Sequence, residues 1–174
     1  LAILGRIKKV TNFVDFFNRF KKKSILKIIN YLEADNITFL ESKNRNDVIL
    51  ELVDLLCKSK KLTDKKLFYK KIIEREKIIS TGIGMGIAIP HAKLKHSDDF
   101  FIAIGILKKY KINWNSIDNL PVRLVFMIGG PEVKQNEYLQ LLSKLTEALK
   151  NDNLRRNIFK ATQKEEVINA FRQF

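Results

Sequence analysis

Three glycines in five positions, followed at once by an apolar run that stops at Pro-His, restrict the backbone more than any other part of this 174-residue chain. The stretch reads Ser80-Thr-Gly-Ile-Gly-Met-Gly-Ile-Ala-Ile-Pro-His91. Gly82, Gly84 and Gly86 admit positive φ and let backbone N–H groups converge, as an anion-binding nest requires. Ile87-Ala88-Ile89 is expected to be a buried strand, and Pro90 to end it, because proline has no N–H for a sheet ladder. His91 is then held at a strand's end, beside a loop suited to a phosphoryl group. Imidazole fits that chemistry, since its neutral form is nucleophilic near pH 7 and can form and release a covalent intermediate.

Other glycine-loop and metal chemistries fit poorly. No Lys-Ser or Lys-Thr follows at P-loop spacing, and the three glycines do not make G-x-G-x-x-G. With two histidines and one cysteine, a zinc site has no recognisable ligand spacing. Cys57, alone, excludes an internal disulfide and fits a reducing, cytoplasmic compartment. It lies beside Leu55 and Leu56 in a helical pattern, so it is expected to be buried and inert.

The formal charge of +14 raises the question of nucleic acid. Lysine, asparagine and isoleucine are abundant throughout, which points instead to a compositional bias at surface positions. No aromatic-basic motif of an RNA-binding sheet and no zinc-finger spacing is present, so no nucleic-acid partner is expected. No apolar run reaches the length needed to span a bilayer.

Residues 1–23 stand apart. Ile3, Ile7, Val10, Phe13, Val14, Phe17 and Phe20 recur at helical spacing, with seven basic side chains against one acidic. A basic amphipathic helix of this kind docks on its own domain, on a second copy, or on an anionic membrane surface. The chain opens on leucine, so a natural start upstream is expected.

From Ser24 the pattern becomes that of a single α/β domain running to Phe174, with a central mixed sheet flanked by helices. Ile25, Leu26, Ile28, Ile29 and Leu32 predict a short helix, and Ile37–Leu40 a strand. Ser42 or Asn44 caps a helix whose apolar face includes Val48, Leu52, Val53, Leu55 and Leu56. Thr63 and Asp64 start another, through Leu67, Phe68, Ile72 and Ile73 to about Lys77. Phe100–Leu107 and Val122–Ile128 are expected strands, the second closed by Gly129-Gly130-Pro131, and Tyr110–Trp114 a short edge strand. Tyr138, Leu141, Leu142, Leu145 and Leu149 form a core-facing helical stripe. A further helix carries Leu154, Ile158 and Phe159, and Thr162 with Glu165 forms a capping-box pattern before the last. Arg75, in Glu74-Arg75-Glu76, reads either as a solvated arginine between carboxylates or as a guanidinium turned back to a phosphoryl group on His91. Lys93 and Lys95 keep the region positive, which favours an acidic or phosphorylated donor. His96, in a polar turn, is expected at the surface.

Ser-Thr-Gly-Ile-Gly-Met-Gly-Ile-Ala-Ile-Pro-His-Ala-Lys closely resembles the active-site segment of the enzyme IIA proteins of the bacterial sugar phosphotransferase system, fructose/mannitol class, which includes the nitrogen-regulatory IIA. The likeness extends from about Ser24 to Phe174. It implies that His91 accepts a phosphoryl group through Nε2 and that Arg75 balances its charge. It also implies that Gly82, Gly84 and Gly86 give N–H groups to the phosphoryl oxygens and that Thr81 adds a hydroxyl. The implied donor is an HPr-like phosphocarrier protein, and the acceptor a sugar permease component or a regulated enzyme or kinase. No metal or organic cofactor is implied.

Two positions depart from the pattern. Tyr138 occupies the place of the family's second active-site histidine, and its hydroxyl donates a hydrogen bond but offers no cation at neutral pH. Met85 replaces a polar residue between the second and third glycines. The alternative to a working phosphocarrier is therefore a regulatory protein-binding module with weakened or lost transfer. The 174 residues contain no permease or carrier domain, which favours regulation over dedicated transport.

Overall fold

The computed structural model describes residues 26–174, so the basic segment at 1–23 lies outside the described residues. Its strands are β1 Ile37–Leu40, β2 Gly82–Gly84, β3 Ile87–Ala88, β4 His91–Leu94, β5 Phe101–Leu107 and β6 Leu124–Pro131. Its α-helices are α1 Arg45–Lys58, α2 Lys65–Ile78, α3 Gln135–Leu149, α4 Asp152–Lys160 and α5 Lys164–Ala170. The strands form one mixed sheet in the order β1-β5-β6-β3-β2, with β4 paired to β6 further along the same edge as β3. β5–β6 and β2–β3 are antiparallel; β1–β5, β3–β6 and β4–β6 are parallel.

β5 and β6 are buried along their whole length because helices cover both faces of the sheet. Ile102, Ile104, Ile106, Leu124, Phe126 and Ile128 pack toward Leu141, Leu145, Ile158 and Val167 of α3, α4 and α5. Phe101, Ala103, Leu107, Val125 and Met127 pack the other way, against Val48, Leu52 and Leu56 of α1 and Phe68 and Ile72 of α2. The strand period of two divides the residues between two cores. β4 obeys it as well: Ala92 and Leu94 join the α1–α2 core, which turns His91 and Lys93 to the opposite face.

Helix starts follow their caps. Asn44 accepts from the Asp47 N–H at 3.0 Å and Asp64 from the Leu67 N–H at 2.9 Å, fixing the first turns of α1 and α2. Among the described residues no helix is long and apolar enough to cross a membrane.

Several expectations are corrected. The helix predicted over Ile25–Leu32 is a single 3-10 turn, Ile28–Tyr31, because the chain becomes extended at Leu32 and Glu33 on its way to β1. Tyr110–Trp114 makes one isolated bridge, Ile112 to Val122, as the chain then turns through Asn115 at positive φ and buries Trp114. Gly129-Gly130-Pro131 does not close β6 but continues it, pairing with Ala92, Lys93 and Leu94. The last capping box sits one residue later than expected, with Gln163 and Glu166 as its members. Cys57 is half-buried rather than enclosed, and burial raises its thiol pKa.

Candidate functional site

α2 brings Arg75 and Glu76 to its last turn, and the hairpin that follows leads the chain back beside them. Glu76 is buried, its side chain 1% exposed. Its carboxylate accepts from the Thr81 N–H at 2.9 Å and from the Thr81 hydroxyl at 2.5 Å, with the Arg45 guanidinium 3.9 Å away. The Trp114 indole N–H donates to the Thr81 oxygen at 3.3 Å. The Ser80 hydroxyl donates to the Trp114 carbonyl at 2.6 Å and accepts from the Gly82 N–H at 3.1 Å.

Of the nest expected over Gly82, Gly84 and Gly86, the Gly82 N–H is engaged by Ser80, and the Thr81 hydroxyl expected on phosphate is engaged by Glu76. β2 and β3 pair as a hairpin whose turn puts Met85 at φ 57° and Gly86 at φ 74°. The Met85 N–H goes to the Asp118 carboxylate at 2.7 Å, and that of Gly82 to Ser80. The N–H groups of Met85 and Leu120 hold the Asp118 carboxyl below the usual carboxylate range, Leu120 contributing most. A side chain at Gly82 would strike the Ser116 hydroxyl at 2.5 Å, so glycine is needed there for the 115–120 loop to lie on the hairpin. Thr81, 4% exposed, belongs to the fastening of this loop rather than to an open pocket.

β3 stops at Ala88, one residue short of the expected Ile89, and after Pro90 His91 stands at a strand's end, the first residue of β4. The ladder to β6 runs through the Pro90 carbonyl, which accepts from the Ile128 N–H at 3.0 Å. Arg75 Nε–H donates to His91 Nε2 at 3.1 Å. Since a guanidinium only donates, Nε2 carries the lone pair, and Nδ1 therefore bears the proton and donates to the Ile89 carbonyl at 2.7 Å. Burial lowers the His91 pKa below its ordinary value, with the Arg75 charge acting in the same direction; the Ile89 carbonyl and Glu76 partly oppose them. The ring is thus neutral near pH 7, in one tautomer, with its nucleophilic nitrogen on a cation. Arg75 also donates to the Ile79 carbonyl at 3.0 Å, which anchors the guanidinium at the end of α2.

Tyr138, from the first turn of α3, lies edge-to-face with His91, ring centres 6.1 Å apart. It is 4% exposed, and its hydroxyl has no hydrogen-bond partner among the described residues. Burial pushes its pKa well above that of an ordinary phenol, so it remains a neutral donor. The Lys93 ammonium lies 5.8 Å from the Tyr138 ring centre. The structure therefore brings His91, Arg75 and Tyr138 together with Lys93, while His96 is exposed in the turn after β4. Sequence reasoning missed Glu76, Trp114 and Asp118 as the fastenings of the site.

Residues 30–174 match the family described as phosphoenolpyruvate-dependent sugar phosphotransferase system, EIIA 2. The chain is 37% identical over 149 residues to the fructose-specific EIIABC component of Bacillus subtilis (strain 168), covering 85% of this chain and 23% of that protein's length. It is 33% identical over 129 residues to the nitrogen regulatory protein of Escherichia coli (strain K12), covering 73% of this chain and 76% of the relative. The crystal structure of nitrogen regulatory protein IIA-Ntr from Neisseria meningitidis superposes with a TM-score of 0.76 at 26% identity, over 83% of this chain and 98% of that one.

Proposed function

Because the chain belongs to the EIIA 2 family of the sugar phosphotransferase system, we propose that it carries a phosphoryl group on His91 Nε2, received from an HPr-like phosphocarrier protein. Nε2 attacks phosphorus as the P–N bond of the donor's phosphohistidine breaks, and the donor imidazole leaves with that electron pair. His91 keeps its Nδ1 proton on the Ile89 carbonyl, so the phosphorylated ring is cationic and its P–N bond stays reactive for onward transfer. Arg75 shifts its Nε–H from Nε2 to a phosphoryl oxygen and balances the charge. Positioning and electrostatics supply most of the catalysis in such a transfer.

The observation that carries this reading is the fixed tautomer: Nδ1–H on a carbonyl at 2.7 Å, Nε2 on a guanidinium at 3.1 Å. The glycine hairpin contributes by holding the strand that presents His91, through Glu76 and Thr81. Intact-mass spectrometry at neutral or basic pH, after incubation with a phosphorylated HPr-like carrier, tests it. One added phosphoryl group on the wild type and none on His91→Ala is expected; equal labelling of both would end the assignment.

The acceptor is either a sugar permease component or a regulated protein. A fructose-specific component and a nitrogen regulatory protein both stand among the relatives. Tyr138 in the second-histidine position favours the regulatory branch, in which phosphorylation switches docking. Partner capture that differs between phosphorylated and unphosphorylated protein is the expected result. Capture unaffected by both phosphorylation and His91→Asp would leave a binding module with no phosphate control.

A further inference from the structure

A phosphoryl group on His91 presents three acceptor oxygens that carry about two negative charges near neutral pH, and besides the cationic ring Arg75 is the one charged donor so far assigned to them. Tyr138 adds a neutral donor. We propose that Lys93 is a second charged donor to this group beside Arg75, and that it binds a phosphoryl oxygen on His91 together with the Tyr138 hydroxyl. This inference rests on the phosphocarrier reading of His91.

Three observations carry it. First, His91 and Lys93 alternate with the buried Ala92 and Leu94 on β4, so both side chains leave the same face of the strand. Two residues of strand span roughly 7 Å, a gap that a lysine stem crosses easily. Second, the Lys93 ammonium is bound by a neutral oxygen, Gln135 Oε1 at 2.5 Å, and has no ion-pair partner among the described residues. Lys71, the neighbouring cation, is already engaged: it donates to Glu132 at 2.6 Å and to the Lys93 carbonyl at 2.9 Å. Lys71 thereby fixes the Lys93 backbone and occupies Glu132, with which Lys93 makes no ion pair. Third, the Tyr138 hydroxyl is buried without a partner, and its ring lies 6.1 Å from the His91 ring and 5.8 Å from the Lys93 ammonium. Gln135 and Tyr138 are three residues apart on α3, hence on one side of it. The Lys93 ammonium and the imidazole thus both lie beside the Tyr138 ring, whose hydroxyl lacks an acceptor. A phosphoryl group there gives the ammonium and the hydroxyl a partner.

The test compares wild type, Lys93→Gln, Lys93→Arg and Tyr138→Phe, each phosphorylated by a phosphorylated HPr-like carrier. The readouts are kcat and KM of transfer, the 31P chemical shift of the phosphohistidine, and its lifetime once the donor is removed. Lys93→Gln is expected to lower kcat about tenfold and to move the 31P resonance, with Lys93→Arg largely restoring both. Tyr138→Phe is expected to move the resonance as well. An unchanged 31P shift and lifetime in Lys93→Gln, with only a salt-sensitive rise in KM, would show that Lys93 merely attracts the donor and would overturn the inference. Labelling of His91 would stand in that case. A wild type that takes no phosphoryl group, or takes it elsewhere than His91, would overturn the phosphocarrier reading and this inference together.

Discussion

The Glu76 carboxylate holds Thr81 by two hydrogen bonds, one from its backbone N–H at 2.9 Å and one from its hydroxyl at 2.5 Å. Glu76 follows Arg75 on α2, and Thr81 opens the hairpin that leads to His91. The pair therefore sets the distance between the guanidinium and the imidazole, although neither member touches the imidazole.

Glu76→Ala leaves two buried donors of Thr81 without an acceptor. A loss of roughly 3 kcal/mol in unfolding free energy is expected, since hydrogen bonds to charged groups and orphaned buried donors each count for 1–3 kcal/mol. Glu76→Gln keeps one acceptor oxygen, and the Thr81 hydroxyl can rotate to meet its amide, so a smaller loss is expected. Urea unfolding of both variants checks this. Equal losses, or none, would mean that the network adds nothing beyond packing.

The His91 side chain sets a pH dependence whose sign is fixed by the direction of its shift. Burial, helped by Arg75, lowers its folded pKa below the ordinary value, while the unfolded chain titrates near 6.5. As pH falls below about 6.5, the unfolded state takes up a proton that the native state refuses, so stability declines until the folded pKa is passed. Above about 6.5 both states are neutral at this position and the penalty vanishes. Wild type is expected to lose more stability than His91→Ala between neutral pH and mild acid. Parallel curves of denaturation midpoint against pH would contradict the burial of a neutral ring.

How far the site was readable in the sequence depends on the kind of constraint. Pro90-His91, the glycines and Arg75 are local chemistry, and the chain declares them within twenty residues. Tyr138 was legible through a resemblance that supplies a long-range alignment. Glu76 was not, because a carboxylate in Glu74-Arg75-Glu76 reads as solvated until the fold shows it buried at 5% exposure against Thr81. The engagement of Gly82 was hidden for a related reason: glycine composition permits both a nest and a tight hairpin, and nothing local shows that Ser80 takes the Gly82 N–H. In the fold, the apolar-run reading found β5 and β6 because both faces of each are buried. It misplaced the end of β6, since glycine ordinarily signals a break.

Tyr138→Phe separates stability from function. The Tyr138 hydroxyl is buried without a partner among the described residues, and such a group costs about 1–3 kcal/mol. The variant without phosphate is expected to gain about 1 kcal/mol, read as a higher urea midpoint. A loss of stability would indicate that the hydroxyl has a partner in solution, such as a bound water.

Gly129 and Gly130 offer the sharpest division between core and site, because their neighbours lie on opposite faces of the sheet. A methyl group at Gly129 would overlap the ring of Phe101, which packs on Phe68 in the α1–α2 core. A methyl group at Gly130 would overlap Phe100, whose ring lies 6.1 Å from that of Tyr138. Gly130 is also the register partner of Lys93. Both Gly→Ala changes overpack a core and are expected to cost about 1–3 kcal/mol. Their effects on His91 should differ. Gly130→Ala pushes Phe100 toward Tyr138 and is expected to alter the rate of phosphorylation and the NMR shifts of the imidazole. Gly129→Ala is expected to leave both near wild type at temperatures where the protein is folded. Pairing Gly130→Ala with Phe100→Leu makes room for the methyl group and should recover much of the lost stability, a coupling that a double-mutant cycle measures directly. If the two single variants perturb the imidazole equally, the path from Gly130 through Phe100 and Tyr138 to His91 is not the one that transmits the strain.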